Sequence, residues 1–316
     1  MRGLYFDGEL QYKEDLQKPI CNENESLIKV LYAAVCNTDK EVIKGYKGFK
    51  GILGHEFVGI IEESSDSLMI GKRVVGEINI GCGYCDFCKK GFKNHCRNRK
   101  IVGMKDKNGA FAEYITLPNQ NIHIVPDNVS DTEAVFAEPL AAALQIVEQH
   151  HIKPSDKTAI IGDGKLAQLI AQVISLTGCE LTIIGKHIEK LELLKSKGKT
   201  VLLSDSSFDN YFDVVIDCTG NERGLVYAQK IVKAMGTIIL KSTYNHDAQL
   251  NPTTWVVNEI NIVGTRCGPI DAALRLLERK LISVEQLISG FYSLKEYEEA
   301  FSPLNKLKAV FDIQKK

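Results

Sequence analysis

The sequence predicts an α/β protein in which a β-rich domain precedes a doubly wound parallel sheet. Three observations support this prediction. Short apolar runs separated by turn residues fill the first 140 residues, and four cysteines lie close together between residues 82 and 96. From Lys157 onward, predicted strands alternate with amphipathic helices, the pattern of right-handed βαβ crossovers.

The first half contains irregularly spaced β segments that suggest an antiparallel, barrel-like domain over residues 1–140. These segments read SLIKVLYAAVC, FVGIIEE, KRVVGEINI and AFAEYITL. Interspersed turn signals divide them, and the apolar positions are sufficient for a core of their own.

The four cysteines Cys82, Cys85, Cys88 and Cys96 occur in the string GCGYCDFCKKGFKNHC. Two gaps of two residues and one of seven bring four thiolates within reach of one tetrahedral ion, as a structural zinc requires. A disulfide pair is an alternative, although two-residue gaps rarely give the required Cα separation. An iron–sulfur cluster is the stronger alternative, but its pattern closes after three residues and is followed by proline. We therefore predict a zinc-binding lobe at about residues 81–98.

The second half, residues 141–266, has the pattern of a Rossmann-type dinucleotide-binding domain. The run KTAIIGDG is a strand that leads into a glycine turn, and apolar residues then recur at helical spacing. The strands expected after it are LTII, TVLL, FDVVIDCTG, GTIILKS and INIVGT. The remaining segment, 267–316, carries two predicted helices, Ala272–Lys280 and Leu294–Phe301, and a final strand KAVFDI. We expect this segment to return to the first domain.

Composition limits the classes of function that fit this chain. The 316 residues suffice for two domains, and 44% hydrophobic residues can fill both cores. The net charge of −1, with acidic and basic residues interspersed, favours neither a nucleic acid nor a membrane as partner. The N-terminus has neither a signal-peptide nor a transit-peptide pattern, and the unpaired cysteines fit a reducing compartment. We expect a cytoplasmic protein.

The glycine turn has the form G-x-G-x-x-A. Its residues are Gly162, Asp163, Gly164, Lys165, Leu166 and Ala167. Because it lies between a predicted strand and an amphipathic helix, the first amides of that helix can face a pyrophosphate. A glycine turn without a ligand is the alternative. The context favours a nicotinamide dinucleotide.

The end of the next strand bears on the choice between NADP and NAD. An acid is expected there to bind the ribose hydroxyls, but the sequence reads Gly185, Lys186 and His187. This arrangement leaves room and adds positive charge where a 2′-phosphate would lie. A solvated basic turn is the alternative. The sequence favours NADP(H), with NAD(H) possible.

A second candidate metal site is scattered over the first domain. Cys36 and His55 offer two ligands, and Glu56 or Glu138 can supply a third, leaving a fourth position for water or substrate. Each residue alone has a structural explanation, such as a buried cysteine or a core histidine. Their occurrence together, before a four-cysteine lobe and a dinucleotide turn, favours a catalytic zinc. We therefore expect two zinc ions per chain.

In this order, the motifs CNTD, GHE, the cysteine lobe, GAFAEY, AEPLA and GDGKLA resemble the zinc-dependent medium-chain alcohol dehydrogenase superfamily, especially its polyol, threonine and glucose dehydrogenase branch. The resemblance implies a GroES-like catalytic domain interrupted by the coenzyme domain. It carries Cys36, His55 and Glu56 over as zinc ligands, with Glu138 as an alternate or water-bridged ligand. It also implies a homodimer or homotetramer.

The implied reaction is zinc-assisted hydride transfer between an alcohol or polyol, or its carbonyl product, and the nicotinamide cofactor. Thr38 would pass the alcohol proton outward, and Glu41 stands where the family usually has a relay histidine. Ser242 and Thr243 are expected near the nicotinamide ribose, and Lys308 near the pyrophosphate. The alternatives are a zinc-independent enone or quinone reductase of the same superfamily and a non-enzymatic dinucleotide-binding redox sensor.

Overall fold

The fold is that of a computed structural model, which describes residues 1–45, 48–243, 247–305 and 307–315. The chain divides into two compact units. Unit 1 contains Met1–Glu138 and Ile270–Lys316, and unit 2 contains Pro139–Pro269. The boundaries between the units, after Glu138 and after Pro269, lie two and three residues from the domain boundaries expected after residues 140 and 266.

The strands are β1 (Gly3–Phe6), β2 (Leu10–Lys13), β3 (Glu25–Ala34), β4 (Gly51–Ile52), β5 (Glu56–Ser64), β6 (Arg73–Gly76), β7 (Asn79–Ile80), β8 (Lys100–Val102), β9 (Asp106–Lys107), β10 (Tyr114–Pro118), β11 (Ile122–Ile124), β12 (Lys157–Ile161), β13 (Glu180–Gly185), β14 (Lys199–Leu202), β15 (Phe212–Asp217), β16 (Val232–Leu240), β17 (Asn261–Gly264), β18 (Ile288–Tyr292) and β19 (Lys308–Asp312). The α-helices are α1 (Asn37–Ile43), α2 (Asp86–Lys89), α3 (Asp131–Ala134), α4 (Ala137–Gln149), α5 (Lys165–Ser175), α6 (Ile188–Glu192), α7 (Glu222–Ile231), α8 (Pro252–Val257), α9 (Ile270–Glu278) and α10 (Tyr297–Phe301).

Unit 1 is built around a mainly antiparallel sheet. Among the described residues its strand order is β11-β6-β5-β3-β19-β18, and β10 also pairs with β3. Smaller sheets have the orders β2-β1-β4 and β7-β8-β9. Strand β19 pairs antiparallel with β3, with Val310 opposite Ala34, so the C-terminal segment lies beside the strand that leads to Cys36.

The core of unit 1 draws on residues from both chain segments of the unit. Phe111 and Phe311 are fully buried, and their rings meet edge to face with centroids 5.1 Å apart. Such aromatic contacts favour a fixed packing beyond the area they bury. The C-terminal segment is therefore an integral part of the core of unit 1.

Unit 2 contains a parallel sheet with helices between its strands. Within the described residues the strand order is β14-β13-β12-β15-β16-β17, the order of a Rossmann fold. The α/β fold class with a β-rich domain and a Rossmann domain is therefore confirmed. Strands β12 and β15 are almost wholly buried, as expected for central parallel strands.

Helix bounds differ from the sequence-based ones mainly at the ends. The helix expected at 272–280 spans Ile270–Glu278, and the segment expected as one helix at 294–301 is a 3₁₀ turn followed by α10. Helix ends are poorly determined by periodicity because caps and tertiary contacts decide them. None of the helices in the described ranges combines the length and apolarity needed to cross a bilayer.

Candidate metal centres and cofactor turn

Helix α1 begins directly after Cys36 and is fixed there by Asp39. The backbone N–H of Cys36 donates to Asp39 Oδ2 at 2.8 Å, which satisfies an amide at the start of the helix. Thr38 lies in the first turn, with its Oγ1 3.6 Å from Cys36 Sγ. The thiol and the hydroxyl are thereby held side by side.

His55 and Glu56 stand at the start of β5, and both are buried. One ligand atom each from Cys36, His55 and Glu56 lies within 4.8 Å of the others, a separation that suits one shared metal ion. Thiolate, imidazole and carboxylate are all ligands that zinc accepts. Glu138 does not belong to this group of three in the described part of the chain.

Asp39 is a buried acid that sequence reasoning did not assign to this site. Its Oδ1 lies 3.2 Å from His55 Nδ1, and neither side chain is more than 2% exposed. A carboxylate on the second ring nitrogen fixes the orientation of a metal-binding histidine. The signal was the aspartate of the CNTD motif, three residues after the cysteine.

The surroundings of His55 favour the positively charged form of its imidazole. Burial alone would lower its pKa, but the charge and hydrogen bond of Asp39 and the proximity of Cys36 hold the pKa well above its usual range. The pocket thus stabilises positive charge at the imidazole. A divalent cation would take over that role, because it replaces the proton at a ligand nitrogen.

Lys308 lies at the same site. Its Nζ is 2.5 Å from Glu56 Oε2, and the two side chains are 3% and 1% exposed. Burial opposes the charged ammonium, but Glu56 first, then Cys36 and Glu138, raise the pKa of Lys308. Lys308 was expected near the pyrophosphate; the structure buries its ammonium against the carboxylate of Glu56 in unit 1.

Two further sequence candidates lie nearby but outside the group of three. Glu138 is half-buried in the first turn of α4, and its charge acts on Lys308. Glu41 lies one turn after Thr38, is 34% exposed, and forms an ion pair of 2.8 Å with Lys44.

The four lobe cysteines form a second compact group. Their sulfur atoms lie within 4.8 Å of one another around α2 and the 3₁₀ turn Lys93–His95. Strands β7 and β8 pair at the base of the lobe, with Ile80 opposite Lys100. The Cys82 N–H donates to Cys96 Sγ at 3.3 Å. Four sulfur donors without an open position are the chemistry of a structural zinc site.

The lobe favours thiolate at Cys85. The hydrogen bond from the Cys88 backbone, together with those from the neighbouring thiols, lowers the pKa of Cys85 to about 6. The pKa of Cys82 is also lowered, despite some desolvation, by backbone N–H groups. Desolvation, together with the neighbouring thiols, raises the pKa of Cys88 to about 11, so the surroundings favour the thiolate form at Cys85 and Cys82 but not at Cys88.

In unit 2, the glycine turn joins β12 to α5. Gly162 adopts φ 124°, which a side chain would rarely allow, and its N–H donates to Ile184 O at 2.8 Å. Gly164 precedes α5, and a Cβ there would meet nothing within 4 Å, so the space above the helix start is open. Lys165 and Leu166 are half-buried, whereas Ala167 is fully buried. These features suit a pyrophosphate at the start of the helix.

Asp163 connects this turn to the end of β13. Its Oδ2 accepts hydrogen bonds from Lys186 N at 2.6 Å and His187 N at 2.8 Å, and His187 Nδ1 lies 3.0 Å from Oδ1. Gly185 is buried, whereas Lys186 and His187 are exposed. Sequence reasoning placed Asp163 only among the turn residues and missed this cross-link.

Ser242 and Thr243 follow β16 at the carboxyl edge of the sheet, where open α/β sheets bind ligands. Ser242 Oγ accepts the N–H of Gly220 at 2.8 Å, and Thr243 is exposed. The hydroxyl of Ser242 thereby fixes the loop that follows β15.

Two protein families match separate parts of the chain. The family described as Alcohol dehydrogenase GroES-like domain matches residues 22–127, and the family described as Shikimate / quinate 5-dehydrogenase matches residues 142–243. The first match covers both cysteine sites of unit 1. The second lies within the dinucleotide-binding unit.

Individual relatives cover most of the chain. D-arabitol-phosphate dehydrogenase of Enterococcus avium is 29% identical over 94% of this chain and 92% of its own. L-threonine 3-dehydrogenase of Marinomonas sp. (strain MWYL1) is 30% identical over 66% of this chain and 67% of its own. A crystal structure provisionally described as a zinc-binding dehydrogenase from Sinorhizobium meliloti 1021, bound to NADP, has a TM-score of 0.91 at 25% identity, covering 98% of both chains.

The fold, the two groups of candidate metal ligands and these relatives agree. The chain belongs to the zinc-dependent medium-chain dehydrogenase/reductase superfamily, which includes the alcohol dehydrogenases.

Proposed function

We propose that this chain is a polyol dehydrogenase whose catalytic zinc is bound by Cys36, His55 and Glu56. The protein is a zinc-dependent oxidoreductase that transfers a hydride between an alcohol and a nicotinamide cofactor. The clustering of these three ligand atoms within 4.8 Å is the observation that carries the residue assignment. Relatives named for arabitol phosphate and sorbitol support a polyhydroxylated substrate.

The ligand set leaves one position of a tetrahedral ion for the substrate oxygen. A zinc ion bound there supplies Lewis acidity, which favours the alkoxide of an alcohol or polarises a carbonyl in the reverse direction. Asp39 orients His55, and Lys308 holds Glu56. These two buried contacts fix the ligands before the substrate arrives.

Thr38 is the residue we assign to the alcohol proton. Its hydroxyl lies 3.6 Å from Cys36 Sγ and is half-buried, so it can contact both a substrate oxygen and the outside of the site. A hydroxyl can accept one proton while it donates another. Glu41 pairs with Lys44 on the outer side of α1, so we place it outside this transfer.

We assign a second, structural zinc to the lobe of Cys82, Cys85, Cys88 and Cys96. Two separate groups of ligands support two ions per chain. Both groups require free thiols, which supports a reducing compartment such as the cytoplasm.

For the cofactor, we favour NADP(H). No acid stands at position 185, and the exposed Lys186 adds positive charge at the end of β13. The NADP bound in the Sinorhizobium structure supports this choice. His187 already pairs with Asp163, so Lys186 is the main candidate for the 2′-phosphate.

We also propose a homo-oligomer formed through unit 2. Strand β17 is one edge of the parallel sheet, and Asn261, Ile262 and Gly264 are exposed on it. Val256 and Val257 of α8 are 77% and 73% exposed. An exposed strand edge with apolar neighbours favours pairing with a second copy.

A zinc-independent reductase and a non-enzymatic sensor are not favoured, because neither needs the buried group of Cys36, His55 and Glu56. The test is a screen of polyols, polyol phosphates and hydroxy-amino acids with zinc-loaded protein, in which NADPH or NADH absorbance is recorded. Zinc-dependent turnover of a polyol supports the proposal. Turnover of enones that persists after zinc removal would contradict it.

A further inference from the structure

The turn after β13, Lys186–His187, is fixed by backbone hydrogen bonds to Asp163 of the glycine turn. Asp163 lies 23 residues before Lys186 and accepts the backbone N–H groups of Lys186 and His187. The Asp163 side chain is 8% exposed, whereas that of His187 is 49% exposed. The carboxylate is therefore buried under the turn, and the imidazole lies at the surface.

Asp163 also explains why position 185 is glycine. A Cβ at Gly185 would lie 2.6 Å from Asp163 Oδ2 and 2.8 Å from Asp163 Cβ. Side-chain atoms do not approach so closely, so the two positions cannot both carry a side chain in this arrangement. Asp163 already fills the space that an acidic side chain at position 185, the end of β13, would need.

A second contact ties the glycine turn to α6, the helix that follows the Lys186–His187 turn. Gln168 of α5 is fully buried, and its amide Nε2 lies 3.3 Å from Asp163 O and 3.0 Å from Lys190 O. Lys190 Nζ lies 3.9 Å from Asp163 Oδ1. The carboxylate thus connects the glycine turn to the turn after β13, and Gln168 connects the glycine turn to α6.

Both carboxylate oxygens of Asp163 have hydrogen-bond partners within the protein. Burial would raise its pKa, but the His187 ring and the amides of His187 and Lys186 outweigh this effect and lower the pKa. The carboxylate is therefore ionised at neutral pH and is compensated by these donors. The side chain of Lys186 stays exposed beside it.

We propose that Asp163 is a positioning residue for the adenosine end of the cofactor. It holds the Lys186–His187 turn so that Lys186 meets a 2′-phosphate, and it leaves no acid free to accept an unphosphorylated ribose hydroxyl. This inference rests on the proposed preference for NADP(H). It assigns that preference to the glycine turn as well as to the basic residues after β13.

The test compares binding of 2′,5′-ADP and 5′-AMP to the full-length zinc-loaded protein by calorimetry. These two probes differ by the 2′-phosphate alone. In Asp163→Asn, the affinity for 2′,5′-ADP should fall about tenfold, because the amide cannot replace an ionised acceptor for two backbone N–H groups. The affinity for 5′-AMP should change by less than about twofold, since a neutral ribose makes no ionic contact with the turn. Asp163→Ala should show the same selective loss if the asparagine variant folds poorly.

Asp213→Asn is the matched control. Asp213 accepts the N–H of Lys157 at 2.8 Å and pairs with Lys233, but at the amino edge of the same sheet. The Asp213→Asn variant should have a lower unfolding temperature but the same ratio of affinities for 2′,5′-ADP and 5′-AMP. If the unmodified protein binds both probes equally, the NADP(H) preference itself fails. If the unmodified protein favours 2′,5′-ADP and Asp163→Asn weakens both probes alike, weakens 5′-AMP more, or changes neither, then the role assigned to Asp163 is overturned.

Discussion

Lys308 and Glu56, 252 residues apart in sequence, form a buried ion pair of 2.5 Å beside Cys36 and His55. The pair exists because β19 lies next to β3 and brings the C-terminal segment to the start of β5. A buried charge requires a partner, since desolvation of an isolated ion costs several kcal/mol. In this site, Lys308 is the partner of Glu56.

Lys308→Met should therefore destabilise the metal-free protein more than the zinc-loaded one. Loss of one member of a buried pair costs about 3–5 kcal/mol, because the other charge is left uncompensated. A zinc ion at Glu56 would supply the missing positive charge. Denaturant unfolding of both forms measures the difference.

Lys18→Met is the control for this prediction. Lys18 pairs with Glu62 at 3.3 Å, but the side chains are 43% and 34% exposed, so its loss should cost less than about 1 kcal/mol in either form. Equal destabilisation of the two forms by Lys308→Met would show that Lys308 does not compensate Glu56.

Cys88→Ser should remove one zinc ion and lower the unfolding temperature. The lobe depends on its ion because it has little core of its own, and its four sulfurs lie within 4.8 Å. Metal analysis and thermal unfolding check both effects. Cys179→Ser, a substitution outside both groups, should keep the full zinc content; a Cys88→Ser protein with unchanged zinc content would refute the lobe assignment.

Thr38→Val should reduce turnover by about a hundredfold or more, because the variant keeps the shape but lacks the hydroxyl that transfers the proton. Glu41→Gln should change turnover by less than about twofold, since its carboxylate is paired with Lys44. Steady-state rates with a polyol, recorded across pH, distinguish the two residues. A large loss in Glu41→Gln, with a shifted pH profile, would instead place Glu41 in the relay.

His123 gives unit 1 a pH-dependent contribution to stability. Its ring lies 2.5 Å from Asp271 and 3.1 Å from Glu77, and Glu77 also pairs with Lys93. Burial would lower the pKa of His123, but the two carboxylates raise it above its ordinary value of 6.5. A raised pKa means that this stabilisation is complete below about pH 6.5 and is lost as pH rises through the folded-state pKa.

The measurement is the unfolding temperature of the unmodified protein and of His123→Gln between pH 6 and 9. The difference between them should be largest at the acidic end and should shrink as pH rises. Asn119 accepts a hydrogen bond from Ser26 Oγ at 2.7 Å and donates one to Ser65 Oγ at 3.3 Å; because these groups are uncharged, Asn119→Ala should lower stability by a similar amount at every pH. A difference for His123→Gln that does not vary with pH would contradict the account.

Local sequence spacing was enough to predict several parts of the fold and of the candidate site. The lobe cysteines, the G-x-G-x-x-A turn and the alternation of strands and helices in unit 2 each occupy one continuous stretch. Their geometry follows from residue spacing, because a turn or a βαβ unit is determined over a few tens of residues.

The contacts that could not be predicted join distant stretches. The sequence did not indicate that Lys308 pairs with Glu56; the register of β19 against β3 buries its ammonium there. The contact of Asp163 with His187 depends on how two parallel strands end side by side. Side-chain partners of this kind are set by tertiary packing, about which residue spacing carries no information.

The central claim is that Cys36, His55 and Glu56 bind the catalytic zinc, and Cys36→Ser tests it most directly. Zinc content, polyol turnover and cofactor binding should be measured on the same preparation as the unmodified protein. The account predicts loss of one zinc ion and of turnover, with cofactor binding unchanged, because the cofactor turn lies in unit 2. Full turnover in Cys36→Ser, or an unchanged zinc content, would contradict it.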